Sequence, residues 1–251
     1  VSQGDTREVG LDQIFDSGCF VQSAIKSYEW TGQATVLVSV ITITKKKPIT
    51  FILDGLEVVS INSSLSSNEA TIRERRKLSQ NKGVCAIGSY LQGTGFYVER
   101  ELAHEILDKD PTSASVLKPL VRGEDAINYQ NGELPFYGIN FGDMSEQEAK
   151  GFKRLFEIAE KNVKPERLKG KDRKLSTYWW KYKRQTKGLY KKACKLNRVL
   201  VHSFTSKYIG FRFVPSDSIF VAPLVVLLSE EFSFFAVLQS SLHKCWVEDV
   251  S

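Results

Sequence analysis

Over the first fifty residues apolar side chains fall in alternating or β-branched blocks, and past the middle of the chain they shift to helical spacing. Residues 34–44 (ATVLVSVITIT) predict a strand, and residues 19–25 predict a shorter one, with Trp30-Thr31-Gly32 in the turn between them. Residues 7–16 have the spacing of a short helix that stops at Gly18, and residues 51–53, ahead of Asp54-Gly55, predict a final edge strand. A helix feeding a hairpin is too small to bury its own faces. This block is therefore expected to complete a sheet formed elsewhere.

Residues 58–83 change character. Serines at 60, 63, 64, 66 and 67 precede Arg73, Arg75, Arg76 and Lys77 with little periodicity, which predicts a linker or exposed arm. Beyond it, residues 84–91 and 95–98 predict strands around Gln92-Gly93-Thr94, and residues 99–107 a helix. Ser145 and Glu148 have capping-box spacing ahead of an apolar stripe formed by Ala149, Phe152, Leu155, Phe156, Ala159 and Val163. Residues 164–174 predict a basic loop containing Pro165 and Gly170.

One long helix is then expected. Trp179, Tyr182, Thr186, Leu189, Ala193 and Leu196 would form its core face, with Lys181, Arg184, Lys187, Lys191, Lys192 and Lys195 on the opposite arc and Trp180 among them. Residues 199–204 and 208–214 predict a hairpin around Thr205-Ser206-Lys207, with Arg212 on its open face. Residues 230–246 predict a closing helix with Phe232, Phe235, Leu238, Leu242 and Trp246 in the core.

With 251 residues, 42% of them hydrophobic and 25% charged, the chain can bury a sizeable core, which excludes a disordered tail, a collagen-like repeat or a disulfide scaffold. The longest apolar run, residues 219–228, is broken by Pro223 and is too short for a membrane span. Cys19, Cys85, Cys194 and Cys245 stand far apart and predict buried free thiols in a reducing cytoplasm. Neither they nor the three histidines have metal-ligand spacing. Phosphate-loop, nucleophile-elbow, zinc-protease and Rossmann fingerprints are absent, and Gly93-Thr94-Gly95 reads as a tight strand connection. No catalytic residue is predicted.

Charge changes the picture most. Residues 151–200 carry 17 Lys/Arg and 4 Asp/Glu (+13), whereas the rest of the chain carries 18 and 25 (−7). Such segregation is the footprint of a polyanion partner, with nucleic acid the default. The candidate contacts are Lys171, Arg173 and Lys174 in the basic loop; Trp180, Lys181, Arg184, Lys187, Lys191 and Lys195 on the helix; and Ser206, Lys207 and Arg212 on the hairpin. Trp180 would stack or pack against a sugar-phosphate backbone, and Arg212 would read a guanine edge. Other readings stay open: a solvated lysine-rich helix, Trp180 packed under a neighbouring loop, Arg212 paired with an acid, or an RNA- or acidic-protein-binding domain.

Several segments, in order along the chain, resemble the MmeI-like (type IIG or IIL) restriction-modification enzymes and related adenine-specific DNA methyltransferases. They begin with the opening run Ser2-Gln3-Gly4-Asp5-Thr6-Arg7-Glu8-Val9-Gly10-Leu11 and continue through Trp30-Thr31-Gly32-Gln33-Ala34 and Ile52-Leu53-Asp54-Gly55 with Ile61-Asn62. Gly88-Ser89 with Gly95-Phe96 follows, then Leu117-Lys118-Pro119 with Gly123-Glu124-Asp125. The last two are Pro165-Glu166-Arg167 before Trp179-Trp180, and residues 238–243 (LQSSLH) with Trp246. Asn140, in Gly138-Ile139-Asn140-Phe141, departs from the resemblance, which has Asp there.

The resemblance implies an α/β (α+β) fold. Residues 1–57 would be the C-terminal part of a methyltransferase domain, contributing an edge hairpin of its Rossmann-like sheet. Residues 58–83 would be a linker and residues 84–251 a mixed α+β target-recognition domain. It also implies duplex DNA and an upstream methyltransferase domain as partners. The Gly-rich S-adenosylmethionine loop and the Asn-Pro-Pro-Tyr/Phe motif of such enzymes are absent from this sequence, which begins at Val1 and has Met144 as its single methionine. The chain is thus expected to be a piece of a longer cytoplasmic phage-defence protein. It would have no cofactor of its own and would be unable to transfer a methyl group alone; the parent would be an adenine-specific methyltransferase, with or without a nuclease.

Overall fold

The computed structural model describes residues 4–32, 36–67, 79–128, 133–206 and 208–250. Lys207, the arm cations Arg73, Arg75, Arg76 and Lys77, and the first residues of the strand expected over 34–44 lie outside them. The chain divides into two compact units, Val1–Lys77 with Cys245–Ser251, and Leu78–Lys244.

In the first unit α1 (Gly4–Glu8) and α2 (Leu11–Asp16) replace the single expected helix, and Gly18 takes the left-handed φ of 79° that ends the run. Strands β1 (Phe20–Glu29) and β2 (Leu37–Thr44) pair antiparallel, while β3 (Phe51–Leu53) runs parallel to β1 and pairs with β4 (Leu56–Val58). The sheet order is β2-β1-β3-β4, so β3 is an inner strand and β4 the edge. Leu11, Val21, Ala24, Phe51 and Leu53 form the core with Ile61 and Leu65, two residues the sequence reading placed in a linker.

The second unit holds two four-stranded sheets, ordered β10-β9-β12-β5 and β11-β7-β8-β6. The first contains β5 (Cys85–Ile87), β9 (Arg198–Ser203), β10 (Arg212–Pro215) and β12 (Leu224–Leu227), all antiparallel. The β9–β10 hairpin forms as expected, but its second strand starts at Arg212 instead of 208. The other sheet contains β6 (Tyr97–Glu99), β7 (Leu117–Val121), β8 (Phe136–Ile139) and β11 (Ile219–Phe220). Helix α3 (Arg100–Lys109) follows β6 directly, and α4 (Gly123–Asn128) follows β7.

The Ser145–Glu148 capping box is present, but it starts the short α5 (Glu146–Ala149). The stripe residues Leu155, Phe156 and Ala159 are buried from a second helix, α6 (Lys153–Asn162). The expected basic loop is two short helices, α7 (Lys164–Lys169), with Pro165 in its first turn, and α8 (Arg173–Thr177), capped by Asp172. The long helix expected next is also broken, and only α9 (Lys187–Ala193) is helical, burying Leu189 and Ala193. The closing helix divides into α10 (Phe232–Leu238) and α11 (Ser241–Val250), and Phe232, Leu242 and Trp246 are exposed, not core. None of the four cysteines is in a disulfide, and Cys85, Cys194 and Cys245 are exposed where burial was expected. Among the described residues, no helix is long and apolar enough to cross a membrane.

Candidate nucleic-acid interface

The segment between α8 and α9 is the centre of the basic region, and its non-helical path has a definite cause. Arg184 and Tyr90 exchange both backbone hydrogen bonds, N–H to O at 2.9 and 3.1 Å. Thr186 N–H donates to Ser89 Oγ (3.2 Å) and Thr186 Oγ1 donates to the Gly88 carbonyl (3.1 Å). Two aromatic donors add to this: Trp180 Nε1 reaches the Met144 carbonyl at 3.0 Å, and Tyr182 OH the Ile139 carbonyl at 2.8 Å. A continuous helix would forfeit these bonds, so tertiary pairing overrides the 3.6-residue pattern.

Arg167 holds the same segment from beneath. It is only 5% exposed, its guanidinium donates to the Lys181 carbonyl and to the Leu91 carbonyl (2.6 Å), and it lies over the Phe96 ring at 5.2 Å. Burial pushes its pKa down, with Glu166 and Asp172 pulling the other way. The Gly93-Thr94-Gly95 run adjoins it. A Cβ on Gly95 would meet the Asn162 carbonyl oxygen at 2.7 Å, and one on Gly93 a Glu166 carboxylate oxygen at 2.9 Å. These glycines serve close packing on α6 and α7.

So held, the segment borders two clefts. One, of about 430 Å³, is lined by Lys174, Lys181, Lys183, Arg184 and Lys187 together with Asp143, Asp172 and Tyr178. A second, of about 700 Å³, shares Gly142, Asp143, Gln185 and Lys187 with the first and adds Lys118, Asn140 and Asp217. Lys187 Nζ stands 2.7 Å from each Asp143 carboxylate oxygen, and Lys181 Nζ donates to the Asp143 carbonyl at 2.9 Å. The bond from Lys187 holds the Asp143 carboxyl below the usual aspartate range. Arg184 stacks on the Tyr90 ring at 4.2 Å, fixing one cation of the rim.

The structure distributes the sequence-predicted contacts unevenly. Lys174, Lys181, Arg184 and Lys187 come together on the cleft, and Lys171 and Arg173 are exposed beside Lys174 in sequence. Lys191 and Lys195 are exposed, on α9 and just beyond it. Ser206 lines a different cleft, of about 390 Å³, with Thr94, Tyr97, Arg122 and Gly123. Arg212 is half-buried in β10. Trp180 is the correction: at 6% exposure it belongs to the core, edge-on to Trp179 at 6.0 Å, and it presents no stacking face. Its place on the basic arc depended on a helix that does not form. Asp143 and Asn140 escaped the sequence reading as site residues because helical phase cannot bring residues 140–143 to residues 181–187, and Lys183 and Gln185 escaped it because they fall outside the basic arc of the expected helix.

Among the described residues, the Gly93-Thr94-Gly95 run does not fit a cradle for S-adenosylmethionine, because it is packed directly against α6 and α7.

The chain is a mixed α+β protein whose second unit carries a cationic cleft. The sequence model described as "MmeI, target recognition domain" matches residues 66–251, and the chain belongs to that family. A solved structure titled as the type IIL restriction-modification enzyme MmeI in complex with DNA shares the fold, with a TM-score of 0.68 and 18% identity over 98% of this chain. The chain spans 34% of that protein's chain. No curated protein matches.

Proposed function

We propose that the chain is the sequence-recognition module of an adenine-specific (N6) DNA methyltransferase of the restriction-modification type, working in the cytoplasm on duplex DNA. Residues 1–57 belong, on this reading, to the end of the methyltransferase domain. S-adenosylmethionine is held by the part of that domain upstream of this chain, and the module presents the target adenine to it. One observation carries the reading: a cluster of cations borders a cleft in a target recognition domain, and a neighbour of the same fold is described in complex with DNA. Lys171, Arg173, Lys174, Lys183 and Arg184 supply phosphate contacts and register, with Lys191 and Lys195 extending the track. Ser206, Lys207 and Arg212, from the segment joining and opening the hairpin strands, approach the base edges.

The test is binding of the full chain to a randomised duplex library over a salt series. About six phosphate contacts give a log–log salt slope of roughly −5. Enrichment of one short motif, with a shallower slope after charge reversal at Lys174, Lys183 and Arg184, supports the module. Equal or better binding to duplex RNA or polyglutamate would turn the reading toward an RNA- or acidic-protein-binding domain.

A further inference from the structure

Two acids line the basic cleft, and they differ in kind. Asp172 caps α8, accepting from the Lys174 and Leu175 backbone N–H groups. Asp143 caps nothing; among the described residues its carboxylate bonds only Lys187, and its side chain is 76% exposed. A carboxylate on a phosphate-binding face weakens binding to every sequence unless it meets a donor. In the major groove the base-edge donors are amino groups, and cytosine N4 is the usual partner of an acid.

The geometry extends this to a base pair. Guanine O6 and cytosine N4 are hydrogen-bonded to each other in a G·C pair, so their major-groove faces lie about 3 Å apart. Lys187 Nζ and the Asp143 oxygens, 2.7 Å apart, present a donor and an acceptor at that spacing. The two arms that carry them are tied together. Asn140 Oδ1 accepts from Gly142 N–H at 3.0 Å and from Gln185 Nε2 at 2.9 Å, and Lys181 holds the Asp143 carbonyl. This ordering precedes any ligand, as a discriminating site requires.

We propose that Asp143 and Lys187 read one G·C base pair through the major groove, Lys187 donating to guanine O6 and N7 and Asp143 accepting from cytosine N4. Asn140 and Gln185 act as positioning residues. The inference rests on duplex recognition at the same cleft.

The experiment selects motifs from a randomised duplex library with the full chain, with Asp143→Asn and with Lys187→Gln, and then measures Kd on the enriched duplex and on duplexes altered at each position. Both side chains are exposed, so the variants are expected to fold, and thermal midpoints check this. The unaltered chain prefers G·C at one position by roughly tenfold or more. Both variants flatten that same position, leave the others, and Asp143→Asn does not steepen the salt slope. Uniformly tighter binding of Asp143→Asn to all sequences, with an unchanged motif, overturns the base-pair assignment alone, since the acid would then only repel phosphate. No motif from the unaltered chain overturns duplex recognition and this assignment with it.

Discussion

Trp180 separates the two roles an aromatic can have in a basic segment. Its indole is buried against Trp179, its Nε1 satisfies the Met144 carbonyl, and Lys181 Nζ lies 5.7 Å from its ring. Trp180→Ala is expected to cost about 3–5 kcal/mol of stability through the lost packing and the cavity. Trp180→Phe keeps most of the volume, loses the donor, and is expected to cost about 1 kcal/mol. Urea denaturation midpoints measure both, and the DNA salt slope of the folded Phe variant should equal that of the unaltered chain. A Phe variant of unchanged midpoint with weakened DNA binding would return Trp180 to the interface. Charge density alone marked Lys174, Lys181, Arg184 and Lys187 as cations of one basic segment, and the structure brings all four to one cleft. Asp143 and Asn140 were not legible as part of the cleft, because only tertiary packing brings a turn some forty residues upstream to face them.

Among the elements, those with local signals were read well and those stabilised by distant partners were not. Gly18 ended α2 and the β-branched run gave β2, and the capping box at Ser145 formed, all through interactions within a few residues. The helix expected across 179–196 failed because Ser89 and Tyr90 offer residues 184–186 a bonding edge that no local pattern announces. Asp110 is a local device of the first kind. Its carboxylate accepts from the Thr112 backbone N–H (3.1 Å) and hydroxyl (2.5 Å) and from the Ser113 hydroxyl (2.8 Å), nucleating the turn that leads into β7. The hydroxyls of Thr112 and Ser113 hold its carboxyl below the ordinary value near 3.8. A depressed folded-state pKa gives stability that is fully present above the unfolded value and fades as pH falls through the folded one. Asp110→Ala should therefore lower the thermal midpoint at pH 7, with the gap from the unaltered chain narrowing progressively below about pH 4. A gap independent of pH between 7 and 3 would assign the loss to packing instead of the charged cap.

For the whole molecule, charge and compactness divide along the same line. The unit Leu78–Lys244 holds 26 Lys/Arg and 18 Asp/Glu (+8), whereas the remaining residues hold 9 and 11 (−2). The second unit also owns two of the three hydrophobic clusters, one around Phe96, Phe141 and Leu155, the other around Val199, Val201 and Phe220. Among the described residues, both of those clusters are drawn from Leu78–Lys244 alone. A protein of residues 78–244 should accordingly unfold in one cooperative denaturant transition, with coincident far-UV and tryptophan signals. It should also retain the salt slope of the full chain, because counterion release counts phosphate contacts and the cations that border the cleft all lie within it. The boundary matters to the outcome: Ile61 and Leu65 are core residues of the first unit, so a cut placed before them would attach apolar side chains without their partners. A folded 78–244 protein with a markedly shallower slope would mean that cations outside the cleft unit also touch the backbone, and loss of cooperative folding would mean that the two units depend on each other for stability.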